Sequence, residues 1–396
     1  MQLHLRGENK AEIINLKNIQ KNDYKRVSTG LEEFDRCLGG GIVAGSLVLV
    51  SGDPGIGKST LLTQLALNIN SALYVAGEES ARQIKMRVDR MRPDADLPAG
   101  RQDLAVLNST DVDEVIDAIT TVKPTLIIVD SIQTMQTFDL EGVAGSVGQV
   151  RECAHRLQEV AKSLHIPIFL IGHVTKEGNL AGPKTLEHVV DVVLSLEGDS
   201  VSLFRILRAN KNRFGPTDEV GIFEMVAEGL AEVKNPSKLF LSQKIEAPGS
   251  AVVVTASGKR PILVEIQALV TKSFLPIPRR TGSGIDNNRL QLLVAVLSKR
   301  LGLPLFDKDI FVNVTGGLRL DEPAIDLGIC MAIISSLKDA VIKPSTLFLG
   351  EVGLLGELRE ISQIESRIKE AKKLKFTTII SSQNAKNLSQ VVRLAF

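Results

Sequence analysis

The sequence predicts an α/β protein with two domains, a larger one built on a parallel sheet and a smaller one that follows it. Short aliphatic and β-branched runs alternate with stretches of helical apolar spacing from about Val27 to Val233. The chain has 396 residues, more than a single domain of ordinary size. The pattern breaks at Asn235-Pro236 and at Ala247-Pro248-Gly249, then resumes. We therefore expect a leader over 1–26, a first domain over 27–235, a linker over 236–250 and a second domain over 251–396.

The elements follow from these runs. Strands of the first domain are predicted at 46–51, 72–77, 125–130, 167–172, 189–196 and 201–208. Their nearly continuous apolar character indicates a sheet that is covered on both faces. Helical spacing over 61–69 and 150–160 supplies covering helices. In the second domain we expect strands at 264–270, 310–314 and 346–352 and helices at 287–301, 324–337 and 362–375.

Composition and charge limit the classes of function. With 47 basic against 46 acidic residues the net charge is +1, so a nucleic-acid partner would be held by local basic loops. Hydrophobic residues make up 44% of the chain, which excludes a wholly disordered protein. Cys37, Cys153 and Cys330 are too far apart for a disulfide framework or a paired-cysteine zinc site. Because no signal peptide or membrane span is visible, we expect a soluble cytoplasmic protein.

The strongest motif is a glycine-rich loop that matches GxxxxGK[ST] between a predicted strand and a predicted helix. It consists of Gly52, Asp53, Pro54, Gly55, Ile56, Gly57, Lys58, Ser59 and Thr60. Glycines allow consecutive backbone amides to approach phosphate oxygens, and the helix N-terminus adds positive potential. We expect Lys58 to reach the β- and γ-phosphates of a nucleotide and the Ser59 hydroxyl to bind Mg²⁺.

Four further residues lie at the ends of predicted strands, at the same edge of the sheet. Asp130 ends an aliphatic strand and is predicted to bind the magnesium, unless it only terminates the strand. Glu78 and Glu79 follow the strand predicted at 72–77, and one of them, Glu78 in preference, is predicted to act as general base. The alternative is a pair of acids in the first turn of a helix. His173 is a candidate sensor of the γ-phosphate or a structural hydrogen-bonding group.

Together these segments resemble the bacterial RadA/Sms proteins, a RecA-type ATPase family. The resemblance is carried by GDPGIGKST, YVAGEES, LIIVDS, IGHVTKEG and ANKNRFG, and extends from about Arg26 to the C-terminus. It implies a RecA-like P-loop core and a motor that uses ATP and Mg²⁺. It also implies a homo-oligomeric, hexameric ring that acts on single-stranded and branched DNA, promotes branch migration and works with a recombinase.

The family signature Lys211-Asn212-Arg213-Phe214-Gly215 is present residue by residue. The resemblance implies that Lys211 and Arg213 are catalytic and deliver positive charge to the γ-phosphate of a neighbouring protomer, across a subunit interface. An arginine supplied in this way is worth about 10³–10⁵ in rate in analogous systems. Without the resemblance, a solvated basic hairpin is the simpler interpretation.

Two loops are candidates for DNA contact. The loop over 136–149 is rich in glycine and has no basic residue, whereas the loop over 175–188 contains Lys176 and Lys184. In RecA-like proteins the corresponding loops face a central channel, where lysines and amides can follow phosphates without sequence preference. Ordinary solvated loops are the alternative for each lysine.

Residues from about 250 onward resemble the proteolytic domain of Lon. The carrying segments are 313–317, 321–324 and 350–359. Lon peptidases use a serine nucleophile and a lysine base, but Ala324 and Glu365 stand at those positions here. We therefore expect no peptidase activity and interpret the domain as a scaffold for oligomerisation, with Arg279, Arg280 and Arg289 as candidate DNA or subunit contacts. The four-cysteine zinc module that usually begins RadA proteins is not expected in this chain.

Two other functions are consistent with these motifs. One is a KaiC-like regulatory ATPase that DNA does not drive, since that class also pairs this loop with adjacent glutamates. The other is a DNA scaffold that binds nucleotide without hydrolysing it. The KNRFG signature and the Lon-like segments favour the motor.

Overall fold

A computed structural model of the chain describes residues 26–92, 104–173, 183–198, 203–242, 244–257 and 260–396. The helices in these ranges are α1 (Glu32–Leu38), α2 (Lys58–Asn68), α3 (Ala81–Met91), α4 (Val112–Val122), α5 (Val147–Leu164), α6 (Pro183–Leu186), α7 (Pro236–Phe240), α8 (Asn287–Leu301), α9 (Asp326–Lys338), α10 (Ile364–Lys373) and α11 (Leu388–Ala395). The strands are β1 (Leu47–Gly52), β2 (Ala72–Ala76), β3 (Ala105–Leu107), β4 (Leu126–Asp130), β5 (Ile168–His173), β6 (Val192–Glu197), β7 (Phe204–Asn212), β8 (Val220–Val226), β9 (Gly229–Glu232), β10 (Ser250–Ser257), β11 (Arg260–Lys272), β12 (Arg280–Ser283), β13 (Lys308–Val314), β14 (Thr346–Leu349), β15 (Glu351–Val352), β16 (Leu358–Arg359) and β17 (Thr378–Ser381).

The first sheet has nine strands in the order β3-β2-β4-β5-β1-β6-β7-β8-β9. The strands from β3 to β6 are parallel, whereas β7, β8 and β9 are antiparallel to their neighbours. The chain crosses over between non-adjacent parallel strands through helices, as a doubly wound fold requires. The carboxyl ends of β1, β2, β4 and β5 therefore meet at one edge, where ligands bind in open α/β sheets.

Buried strands of continuous apolar character separate two cores in this domain. Val48, Val50 and Tyr74 pack on the face covered by α2 and α3, and Leu49 and Val75 pack on the face covered by α4 and α5. All five are fully or almost fully buried. The alternation of side chains along each strand is what assigns them to opposite faces.

The second sheet has six strands in the order β12-β13-β11-β10-β14-β17 and mixes parallel with antiparallel pairs. Helix α9 is apolar on nearly all sides because it lies between this sheet and α8. Helix α10 covers the other face, where Ala371 packs on Val252 and Leu263. The expected helix over 287–301 agrees with α8 at both ends.

The two sheets share a packed boundary. The segment predicted to be a linker contains α7, and its Phe240 lies edge-on to Phe204 of β7, with the ring centroids 5.1 Å apart. Ile222 of β8 belongs to the same apolar core as the second sheet. Arg260 of β11 forms an ion pair with Glu33 of α1, and both side chains are largely buried.

The structure differs from the sequence-based expectation in some details. The strand predicted at 189–196 begins only at Val192, and the carboxylate of Asp191, directly before it, accepts a hydrogen bond from the amide of Leu47. Strands β8 and β9 were not among the predicted elements, although they complete the antiparallel side of the sheet. In the part of the chain that the structure describes, no helix combines the length and the apolar character that a bilayer crossing needs.

Candidate nucleotide-binding site

The glycine-rich loop joins the carboxyl end of β1 to the first turn of α2. Gly55 and Gly57 have φ angles of +76° and +112°, a region of backbone conformation that favours glycine. Gly57 is the N-cap of α2 and brings no side chain to its first amides. Since the first amides of a helix have no partner inside the helix, they remain available to an anion. Asp53, Pro54 and Gly55 are exposed at the surface of the loop.

Lys58 is the first residue of α2, and its side chain folds back over the loop. Its ammonium donates hydrogen bonds to the carbonyl oxygens of Gly52 at 2.9 Å and of Asp53 at 3.0 Å. Burial lowers the pKa of Lys58, and the negative charges of Asp130, Asp53 and Glu78 oppose that shift. The lysine charge therefore belongs to one electrostatic cluster with the carboxylates of the neighbouring strand ends.

Asp130 is the last residue of β4 and is 6% exposed. Its carboxylate accepts a short hydrogen bond through Oδ2 from the phenol of Tyr74 on β2. Burial, followed by the charge of Asp130 and this hydrogen bond, raises the pKa of Tyr74 well above its ordinary value. The phenol is therefore a permanent donor to the carboxylate at physiological pH.

Glu78 lies beyond the end of β2, next to the ends of β4 and β5. Its carboxylate accepts a short hydrogen bond from the hydroxyl of Ser131, and its Oε1 lies 3.4 Å from Nε2 of His173. The side chain of Glu78 is 42% exposed. An exposed carboxylate that accepts a hydrogen bond from Ser131 and lies beside His173 can orient a water molecule and accept its proton.

Glu79 has different surroundings, although it is the next residue in the chain. Both of its carboxylate oxygens accept short hydrogen bonds from one nitrogen of Arg87 on α3. Its backbone carbonyl accepts a hydrogen bond from the side chain of Asn108 at 3.0 Å. The Arg87 side chain is 13% exposed. The carboxylate of Glu79 is thus engaged in an ion pair, whereas that of Glu78 faces the cluster around Lys58.

The residues present fit a magnesium nucleotide. A cradle of glycines at positive φ, a free helix N-terminus and a lysine match a polyphosphate. The hydroxyl of Ser59 and the carboxylate of Asp130 are hard oxygen donors of the kind that Mg²⁺ prefers. Thr60 follows Ser59 in the first turn of α2 and adds its amide to the cradle. No group of three or more His, Cys, Asp or Glu with metal-binding geometry exists among the described residues.

The cysteines do not extend this chemistry. Cys37, Cys153 and Cys330 are buried free thiols. Burial raises the pKa of Cys37 and of Cys153 to about 12, so neither is a thiolate at neutral pH.

The KNRFG segment lies at the opposite edge of the sheet. Asn212 at the end of β7 pairs with Val192 at the start of β6, and the amide of Arg213 donates to the carbonyl of Asp191. The amide of Asp191 in turn donates to Leu47, the first residue of β1. Arg213 is therefore level with the start of β1, whereas the glycine-rich loop follows its end, five residues or roughly 16 Å further along the strand.

The two basic side chains of this segment differ in their freedom. The ammonium of Lys211 donates to the carbonyls of Glu187 and of Val190, the latter at 2.8 Å, and burial lowers its pKa. The guanidinium of Arg213 is 52% exposed and lies 3.4 Å from Asp191. The ammonium of Lys211 is thus bonded to backbone carbonyls that follow α6. Of the two basic side chains, Arg213 is the one that faces solvent.

The predicted DNA loops are described only in part. Lys176 lies outside the described residues, and Lys184 is exposed on α6. In the loop over 136–149, the buried side chain of Gln149 accepts from the amide of Thr137 at 2.8 Å and donates to its carbonyl at 3.0 Å. Phe138, next to that clamp, is 79% exposed. The base of this loop is fixed and its aromatic residue points outward.

In the second domain, the two positions compared with the serine–lysine dyad of Lon carry neither a serine nor a lysine. Ala324 is buried and Glu365 is exposed on α10. The neighbouring acids bind arginines, since Arg289 donates to Asp326 through Nε at 3.0 Å and Arg367 donates to Glu322 at 2.6 and 2.9 Å. Arg289, a candidate DNA contact in the sequence, is thus an ion-pair partner within the domain.

Sequence reasoning missed three contributors to the site: Tyr74, Arg87 and Ser131. Tyr74 carries a recognisable signal, because a tyrosine in the middle of an otherwise aliphatic parallel strand must find a partner for its hydroxyl. Arg87 and Ser131 carry no signal of this kind, since their roles depend on the distance between α3, β2 and the end of β4.

Comparison with known families gives two matches. Residues 18–179 match the family described as AAA domain, and residues 286–385 match the family described as subunit ChlI of Mg-chelatase. The fold class predicted from the sequence is confirmed: a RecA-like P-loop ATPase core is followed by a Lon-protease-like α/β domain.

Two solved structures resemble part of the chain. The KaiC-like protein PH0186 from Pyrococcus horikoshii OT3 is 19% identical with a TM-score of 0.41, over 53% of this chain and 99% of that one. The ATPase domain of G40P is 13% identical with a TM-score of 0.46, over 54% of this chain and 93% of that one.

Curated relatives are much closer in sequence. The DNA repair protein RadA of Bacillus subtilis (strain 168) is 52% identical over 368 residues, which are 92% of this chain and 79% of that protein. The DNA repair protein RadA of Streptococcus pneumoniae (strain ATCC BAA-255 / R6) is 49% identical over 385 residues, which are 96% of this chain and 90% of that protein. With this identity over most of both lengths, the chain belongs to the RadA family of bacterial DNA repair proteins.

Proposed function

We propose that the protein is a DNA-dependent ATPase motor of homologous recombination and DNA repair, which processes or branch-migrates recombination intermediates. The observation that carries the proposal is the meeting of Lys58, Asp130 and Glu78 at one edge of the first sheet, beside a cradle for phosphates. The name of its relatives, DNA repair protein RadA, supports DNA as the object of the motor.

Each residue has a role in this proposal that follows from its surroundings. The loop amides and Lys58 bind the β- and γ-phosphates of ATP, and Ser59 and Asp130 hold Mg²⁺. When bound, this ion neutralises charge that develops on the phosphate oxygens. Glu78 orients the attacking water and accepts its proton. His173, with Nε2 3.4 Å from Glu78, lies beside that carboxylate at the end of β5 and senses the γ-phosphate there.

The position of Arg213 supports hydrolysis at subunit interfaces. It lies roughly 16 Å along the strands from the glycine-rich loop of its own chain, a distance that its side chain does not span. Its exposed guanidinium is therefore available to the nucleotide of a neighbouring protomer in a ring. Lys211 stabilises the KNRFG segment, because its ammonium bonds the carbonyls of Glu187 and Val190 in the same chain.

An exposed apolar surface on the second sheet supports assembly of such a ring. Leu269 of β11 and Phe311 of β13 are cross-strand partners, and both point away from the core that Ala268 and Val312 enter. Leu269 is 60% exposed, and Phe274, beyond the end of β11, is 92% exposed. We propose that a second copy of this chain covers this apolar surface, and that the resulting ring is a hexamer.

The DNA contacts belong to the same proposal. Lys184 on α6, Lys176 and the outward Phe138 supply charge and a stacking face to a single strand. Because few charges are involved, we expect binding to be weak and to depend on salt. A recombinase partner, which the family resemblance implies, brings the protein to branched intermediates.

The test is ATP hydrolysis by the purified protein, titrated with single-stranded and with branched DNA at two salt concentrations. We expect multiple turnovers, a rate that rises with DNA and a stimulation that weakens at the higher salt concentration. A strand-displacement assay on a three-strand branched substrate then measures branch migration directly. The Lys58→Ala protein is the matched control for contaminating ATPase.

The other two functions give different results in the same assay. A rate that ignores both DNA forms supports a regulatory ATPase of the KaiC-like kind and contradicts the motor. One nucleotide bound per subunit without release of phosphate supports a non-hydrolysing scaffold. DNA-stimulated turnover without strand displacement contradicts branch migration and leaves a DNA-dependent ATPase.

A further inference from the structure

A chain of polar contacts runs from the surface of α3 to the carboxylate of Asp130. Glu79 forms an ion pair with Arg87, Nη1 of Arg87 lies 3.5 Å from the Tyr74 hydroxyl, and this hydroxyl donates to Oδ2 of Asp130. The Tyr74 side chain is fully buried and that of Arg87 is 13% exposed. Water therefore has little access to the two inner members of this chain of contacts.

Strand register explains why the phenol reaches this carboxylate. Ala76 is the partner of Asp130 in the β2–β4 pair, and Tyr74 is the partner of Ile128. Tyr74 and Asp130 are thus diagonal neighbours on the same face of the sheet, a separation that an aromatic side chain can bridge. This is the face that α2 and the glycine-rich loop also occupy.

The buried tyrosine does more than fill volume. Phenylalanine has nearly the same shape and leaves no hydroxyl to satisfy, so packing alone does not require a phenol at position 74. Among the described residues, this phenol is the hydrogen-bond donor to the Asp130 side chain, and it engages only Oδ2. It thereby fixes the rotation of the carboxylate and leaves Oδ1 directed elsewhere.

Arg87 fixes the phenol in turn. Its fork holds the Tyr74 oxygen on one side and Glu79 on the other, and α3 is anchored at its start by a capping box between Ser80 and Gln83. A donor to the phenol oxygen strengthens the phenol as a donor to Asp130. The two adjacent glutamates therefore have different roles. Glu78 is the candidate base, whereas Glu79 holds Arg87 beside Tyr74.

We propose that Tyr74 is a positioning residue for the metal-binding carboxylate of Asp130, held in place by Arg87 and Glu79. The proposal rests on the proposed function, because it takes Asp130 as a ligand of the magnesium that accompanies the nucleotide. Hydrogen-bond partners of metal ligands orient them, and their loss lowers metal affinity about 10- to 100-fold in well-studied sites.

The experiment measures binding of the fluorescent nucleotide N-methylanthraniloyl-ADP by the full chain, in EDTA and along a titration with MgCl₂. For Tyr74→Phe we expect the same affinity as wild type in EDTA and a rise of about 10-fold in the Mg²⁺ concentration that gives half the metal-dependent change. Thr29→Val is the matched control, because it removes the hydroxyl of another fully buried side chain of the first domain, one that bonds the backbone of Leu31 rather than any residue of the metal site. This control is expected to keep the wild-type Mg²⁺ dependence.

Arg87→Gln provides a second route if Tyr74→Phe fails to fold. We expect a smaller shift in the same direction, and no further shift when the two substitutions are combined, since both act through one hydrogen bond. An unchanged Mg²⁺ titration in both variants, beside a clear shift in Asp130→Asn, overturns the positioning role alone. No shift in Asp130→Asn contradicts the metal assignment in the proposed function.

Discussion

Nε2 of His173 lies 3.4 Å from Oε1 of Glu78, so the ends of β5 and β2 are joined across the intervening strand β4. The hydroxyl of Ser131, directly after β4, donates to the same Glu78 carboxylate. One glutamate side chain therefore lies beside the ends of three strands, at the edge that holds the glycine-rich loop. Movement of any of them alters the position of the candidate base.

The two adjacent glutamates are expected to separate in kinetics. Glu78→Gln keeps the shape and loses the proton acceptor, so we expect nucleotide binding to persist while kcat falls by about 10²–10⁴. Glu79→Gln weakens the ion pair with Arg87, which acts on the metal site only through Tyr74, and leaves the candidate base intact, so it is expected to reduce kcat much less. Steady-state ATPase assays with direct binding measurements check this, and a larger loss in Glu79→Gln than in Glu78→Gln would reverse the assignment.

Removal of the loop lysine tests the phosphate site. In Lys58→Ala the ammonium that spans the loop carbonyls is gone, and we expect nucleotide affinity and hydrolysis both to be lost. Lys85→Ala is the control, because that lysine is 71% exposed and forms its ion pair with Asp89 on the same helix. Calorimetric titration with ATP gives the comparison. Wild-type turnover in Lys58→Ala is incompatible with the site.

Mixed rings test the action of Arg213 across an interface. Arg213→Ala alone is expected to bind nucleotide normally and to hydrolyse it about 10³-fold more slowly. Mixed with the Lys58→Ala protein, it forms interfaces where one partner supplies an intact loop and the other an intact arginine, so part of the activity returns. Arg90→Ala, an exposed arginine of α3, is the control. Additive, unrescued rates in the mixture would show that Arg213 does not act on a neighbour.

The boundary between the sheets contains a testable ion pair. Arg260→Met leaves the carboxylate of Glu33, which is 2% exposed, without its charged partner from the second sheet. Loss of one partner of a buried pair costs at most about 3–5 kcal/mol of unfolding free energy, and Arg36, 3.6 Å from Glu33, offsets part of that cost here. Lys234→Ala disrupts the neighbouring pair with Glu32, in which both side chains are exposed, and is expected to cost at most about 1 kcal/mol. Urea unfolding followed by circular dichroism measures both, and equal costs would refute the burial argument.

Glu232 gives a prediction for pH. Burial, with the nearby negative charges of Glu33 and Glu32, raises its pKa above the ordinary 4.5. The folded protein therefore holds this proton more strongly than the unfolded chain does, and stability is lost as pH rises from 4.5 through the raised pKa. Glu232→Gln cannot ionise, so we expect its Tm to exceed that of wild type at neutral pH. The difference should vanish below pH 4.5, and a difference that grows on acidification would contradict the assignment.

Much of the ATPase core could be predicted from local sequence. A phosphate loop, strand-end acids and continuous apolar strands are short-range signals, and their parallel arrangement brings Lys58, Glu78 and Asp130 to one edge without further information. The division between Glu78 and Glu79 could not be predicted, since it depends on where α3 places Arg87. The hydrogen bonds of Lys211 to backbone carbonyls and of Arg289 to Asp326 likewise depend on tertiary structure and could not be predicted.

The separation of Arg213 from the glycine-rich loop of its own chain has a consequence for dosage. If each active site takes its loop from one subunit and its arginine from the next, a monomer is inactive. Specific activity then increases with the concentration of the protein itself. An excess of a variant without the arginine inhibits wild-type subunits by taking the neighbouring position in the ring. The ATPase activity of a mixture then falls below the fraction of wild-type subunits that it contains.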